Sequence, residues 1–184
     1  MALFEPFRES TARRALQREP EPARERAGVS LHQAQHIGLV YLDSDEPAFK
    51  RIKDLRKHFG GEYGTRRTQA LGYVPVKEKA MPIWHTQILD LHYFNLDHLN
   101  WYRKPVAQTM QFEKTPFDIL IDLTDGTCLP LQFVVRRSVA KMKVGRASAP
   151  RAADYDLTLE VSPQLSPTAF VKAVEQYLAQ MNFV

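Results

Sequence analysis

Apolar residues along this chain fall into short unbroken runs, separated by stretches in which they recur at helical spacing; that alternation predicts an α/β sandwich. Residues 117–123 read FDILIDL, apolar at nearly every position, as in a strand of a parallel sheet covered on both faces. A polar turn, Thr124-Asp125-Gly126-Thr127, then a short helix and the strand-like SVAKMKVG follow, so residues 117–145 read as a βαβ unit. A ligand crevice would lie at the carboxyl end of its first strand.

The same order recurs upstream. HIGLVYL, residues 36–42, reads as a first strand, and Asp43-Ser44-Asp45-Glu46-Pro47 supplies a helix cap and an early proline. In the helix predicted over 48–59, Phe49, Ile52, Leu55 and Phe59 share one face, leaving lysines and arginines outward. Gly60-Gly61 is expected to end it, before a second strand over 68–74. Residues 75–105 lack long periodicity: a short strand is expected at 88–91 and one or two helical turns at 96–101. The aromatics Trp84, Tyr93, Phe94, Trp101 and Tyr102 are expected to cover one edge of the core. A last strand is predicted at 155–161, and Ser166-Pro167 opens a helix to residue 180 with Phe170, Val174, Tyr177, Leu178 and Met181 as its buried stripe.

Before this domain, residues 5–18 have helical composition and residues 19–28 read as an exposed, charged linker. The expected organisation is a helix and linker over 1–28 and a single domain over 29–184, a length sufficient for a substantial core. The first residues alternate acids and bases and lack the apolar core of a secretory signal, and no window has the composition of a membrane span. With a lone Cys128, these features fit a reducing cytoplasm.

A net charge of +4 is mild for a protein that coats nucleic acid. Its distribution is uneven: Arg136, Arg137, Lys141, Lys143, Arg146 and Arg151 follow one another with no acid between them. This run is the candidate anionic contact, with Lys141 and Lys143 equally readable as marks of a protected sheet edge. The basic residues of 50–57 read as a solvated helix face.

FDILIDL with SVAKMKVG resembles the end of the N-terminal half of heptosyltransferase-like, family 9 glycosyltransferases, which have a GT-B architecture. IGLVYLDSDEPAFKRIKDLRKHF is similar in position to that family's first strand, loop and helix, and with WYRKP the chain from about residue 29 also looks like an uncharacterised bacterial family of small single-domain α/β proteins. The alternation of strands and helices makes the expected fold a three-layer Rossmann-like sandwich with a mainly parallel sheet of about five strands and an appended N-terminal helix. The glycosyltransferase resemblance implies that Asp45 lies near a catalytic aspartate that acts as a base. The donor-binding second half and the glycine-rich loop have no counterpart in this sequence.

Candidate chemistry is sparse. Asp45, Asp122 and Asp125 are the weak catalytic candidates, and Asp43, Ser44, Asp45, Thr124, Asp125, Gly126 and Thr127 would line a ligand crevice. Turn and cap chemistry accounts for the same residues. Cys128 at a helix start would be activated only by that position. His85, His92 and His98, near Asp90 and Asp97, fit no ordinary metal-ligand spacing. No metal or other cofactor is implied. The expected function is a non-catalytic or degenerate binding module for a small ligand or a protein partner, with a basic accessory protein contacting RNA or ribosomes, and a small sugar- or nucleotide-directed enzyme, as alternatives.

Overall fold

The computed structural model describes residues 5–85, 88–162 and 164–181. Residues 1–4 and 182–184, the ends of the expected helix-and-linker segment and of the expected domain, lie outside them. Six strands form one sheet: β1 (His36–Leu42), β2 (Arg67–Val74), β3 (Leu91–Asn95), β4 (Ile119–Asp122), β5 (Met142–Arg146) and β6 (Leu157–Leu159). Their order is β3-β2-β1-β4-β5-β6, and every neighbouring pair is parallel. The sheet therefore has one strand more than expected.

The short strand expected at 88–91 is β3, displaced to Leu91–Asn95. Ile88 and Leu91 close a turn in which Asp90 adopts a φ of 66°, so pairing with β2 starts only at Leu91 opposite Ala70. β1 and β4 are buried along nearly their whole length because helices cover both faces. Side-chain alternation sends Leu39 and Ile121 to one face, against α2 (Glu46–Glu62) and α5 (Pro167–Gln180). Val40 and Leu120 point to the other, against α3 (Met110–Glu113) and α4 (Leu129–Arg137). The helix α1 (Glu5–Arg18) lies outside α4, with Ala12 and Leu16 packed on Leu129 and Phe133.

Helix ends follow local chemistry. Asp45 caps α2 by accepting the Ala48 N–H at 2.7 Å. Gly60 and Gly61 do not stop this helix. It runs through both, and the residue in the left-handed region is Gly64, at φ 64°. In α5 the buried stripe is Phe170, Val171, Val174 and Leu178, while Tyr177 is exposed. The aromatics do not form one cluster either: Phe94 is core, Trp84 packs on Phe49, and Trp101 is exposed and stacked on Phe7.

Residues 19–28 are not a free linker. The Arg24 side chain, 2% exposed, donates to the carbonyls of Ala140 and Lys141 and to the Asp156 carboxylate. Ala27 N–H bonds the Lys141 carbonyl, and Arg136 holds the Glu19 carbonyl. The segment is thus a strap fastened across β5. Among the described residues no helix is long and apolar enough to cross a membrane.

Candidate ligand cleft at the strand-order switch

Strand order reverses between β1 and β4, where the connections leave for opposite faces of the sheet and their carboxyl ends part. In open α/β sheets this is where ligands bind. A cleft of about 330 Å³ occupies that position, lined at its polar side by Ser44, Arg51, Thr124, Asp125, Thr127 and Arg146. Tyr41, Leu42, Ile52, Leu123 and Leu165 make its apolar wall. The volume is at the low end of small-molecule sites.

Of the residues expected in a crevice, Ser44, Thr124, Asp125 and Thr127 line the cleft, whereas Asp43, Asp45 and Gly126 do not. Asp45 spends one carboxylate oxygen on the α2 cap and the other on the Ser44 hydroxyl. Asp125 accepts the Thr127 N–H and hydroxyl at 2.9 and 2.7 Å. Asp122 is buried, one oxygen accepting the Thr124 N–H and hydroxyl and the other the Tyr155 hydroxyl at 2.5 Å. Burial pushes the Asp122 carboxyl above its ordinary pKa. Gly126 has a φ of 74°, and a Cβ there would stand 2.5 Å from the Ala149 Cβ. Asp122, Thr124, Asp125, Gly126 and Thr127 thus build the turn between β4 and α4. Burial also drives the Cys128 thiol up to about 12, opposite to what a nucleophile requires.

Asp43 enters a buried pair instead. Its carboxylate lies 2.9 Å from His85 Nε2 and accepts the Tyr41 hydroxyl at 3.4 Å, leaving the other oxygen without a partner. Burial raises the Asp43 pKa against the pull of His85. The Tyr41 ring occupies the space that Gly72 leaves on β2, where a Cβ would meet it at 2.7 Å. His85 lies in a segment without periodicity, so nothing in the sequence joins it to Asp43. His98 is committed to the Asn95 N–H, and Asp90 to Arg67 and Arg56. Among the described residues no three His, Cys, Asp or Glu side chains converge.

The run from Arg136 to Arg151 does not make a free basic face. Acids outside the run offset it: Arg136 and Arg151 share Asp154, Arg137 meets Glu113, and Lys141 meets Asp118. Lys143 is buried beneath the strap near Glu21, and β5 is an interior strand, so no sheet edge is being protected. Arg146 alone of the run reaches the cleft. It is joined there by Arg51, which reads in the sequence as part of a solvated face.

A three-layer α/β domain with six parallel strands in this order is a Rossmann-like domain. Residues 8–181 match the profile of a family of unknown function, DUF6913, and the chain belongs to that family. No curated protein and no solved structure matches it, so the glycosyltransferase resemblance has no counterpart among them.

Proposed function

We propose that the chain is a non-catalytic Rossmann-like binding module that holds a small ligand in the cleft between the carboxyl ends of β1 and β4. The observation that carries this reading is the coincidence of that cleft with the reversal of strand order. The engagement of the candidate groups supports binding over turnover: Asp45, Asp122 and Asp125 are held in caps and turns, and the Cys128 thiol is held protonated. The likeness to one half of a GT-B glycosyltransferase belongs to this proposal, as the crevice of a single such half. A nucleic-acid role is disfavoured because the basic run is largely neutralised by internal ion pairs.

The test is thermal unfolding against nucleotides, nucleotide sugars, divalent metals and short RNA, in the wild type and in Ser44→Trp. Ser44 is exposed at the cleft, so the indole plugs it without disturbing the core. A small-molecule stabilisation that is lost in Ser44→Trp supports the proposal. Stabilisation unaffected by the plug, or only by RNA and abolished by salt, overturns it.

A further inference from the structure

Arg146 is a buried residue, 3% exposed, and lines the cleft. Three hydrogen bonds fix its guanidinium: to the carbonyls of Thr124 at 3.1 Å, Ser162 at 3.3 Å and Leu165 at 2.7 Å. Its Cζ lies over the Phe170 ring, 4.5 Å from the centroid. These contacts set its position, but carbonyls and a ring face supply only partial negative charge.

What it lacks is a counter-ion. Among the described residues no carboxylate lies within ion-pair distance of Arg146. The comparison within this molecule is direct: the half-buried Arg136 and Arg137 meet Asp154 and Glu113, and the enclosed Arg24 meets Asp156. Buried charges are ordinarily paired, since removing an ion from water costs several kcal/mol. The two nearest acids do not serve. Asp122 is taken by Tyr155 and Thr124, and Asp125 by Thr127. Burial lowers the Arg146 pKa, with those two acids opposing the shift from beyond contact distance. A second arginine, Arg51, borders the same cleft and is also without an ion pair among the described residues.

We infer that the missing counter-charge is supplied by the ligand: the cleft takes a small organic anion, a carboxylate or phosphate ester, whose charged group meets the Arg146 guanidinium with Arg51 at the mouth. This rests on the cleft being the ligand site. The guanidinium has N–H donors left after its three carbonyl bonds, in a planar fork that suits either group. Leu42, Ile52, Leu123 and Leu165 would cover the apolar body of the molecule. The stacked Phe170 keeps the fork from turning away.

The experiment is titration calorimetry at low ionic strength with benzoate, phenyl phosphate and the neutral benzamide, which share one ring and differ in charge. Either anion is expected to bind at least about tenfold tighter than benzamide, the worth of one charge-assisted hydrogen bond. The better of the two anions identifies the charged group. Arg146→Lys keeps the charge and loses the fork, and should weaken the anion by about tenfold or more. Because Arg146 also ties three loops, Arg51→Gln serves as the variant at a partly exposed position, and should selectively weaken the anions. Benzamide binding as tightly as the anions, and lost in Ser44→Trp, would overturn the anion assignment while the cleft reading stands. No binding by any of the three, or anion binding that survives Ser44→Trp, overturns the assignment; only ligands found to bind outside the cleft bring down the cleft reading with it.

Discussion

The Tyr155 hydroxyl donates to Asp122 Oδ2 at 2.5 Å by reaching across β5 at the one position where that strand has no side chain. A Cβ on Gly145 would stand 2.4 Å from the Tyr155 ring. Gly145 and Tyr155 therefore act as a pair that completes the shell of a buried carboxylate. Tyr41, Gly72 and Asp43 repeat the arrangement on the other side of the switch.

Gly145→Ala should destabilise the fold by about 1–3 kcal/mol, since the displaced ring cannot move without disturbing packed neighbours. Tyr155→Phe should cost a similar amount, about 1–3 kcal/mol, by leaving a buried carboxylate oxygen without its donor. Urea unfolding of the single and double variants checks the pairing: the two effects should add to less than their sum.

Lys143, 1% exposed, has its pKa pushed down by burial to about 8 from 10.5. Between those values the unfolded chain holds the proton that the folded chain has released, so this residue makes stability rise with pH across that window. Cys128, raised from 9.0 to about 12, acts in the opposite direction above pH 9. The difference between wild type and Lys143→Met, measured by urea unfolding from pH 7 to 10, isolates the lysine. Lys143→Met should be at least as stable as wild type at pH 7 and lose the rise above pH 8; an unchanged slope would refute the assignment.

Arg24→Met removes the guanidinium that joins the strap to the Asp156 carboxylate and to two carbonyls. Breaking this enclosed pair is expected to cost about 3 kcal/mol. Limited proteolysis should then cut within residues 19–28 under conditions that leave the wild type whole.

Asp45→Ala tests whether this aspartate is a cap or a base. Loss of its bond to the Ala48 N–H should lower stability by about 1 kcal/mol. Calorimetric affinity for a cleft ligand should be unchanged, because Asp45 does not line the cleft. A stability equal to wild type with affinity lost would show the reverse.

Local signals in the sequence determined the elements. Doubly buried strands read as apolar runs, as in 36–42 and 117–123, and Asp45-Glu46-Pro47 and Ser166-Pro167 start helices where capping chemistry places them. The turn chemistry of Thr124 to Thr127 was equally legible, because the hydrogen bonds that Asp122, Thr124 and Asp125 accept from within the turn each span two residues. Tertiary structure alone decided which charges are free. Arg136 and Arg137 look unopposed along the chain, yet Asp154 and Glu113, 18 and 24 residues away, neutralise them once the sheet forms. The same long-range pairing brought His85 to Asp43, turned an apparent linker into a strap, and left Arg146 as a buried cation with no carboxylate at ion-pair distance among the described residues. Caps and periodicity depend on neighbours in sequence; ion pairs and clefts depend on strand order, which is fixed only when distant strands meet.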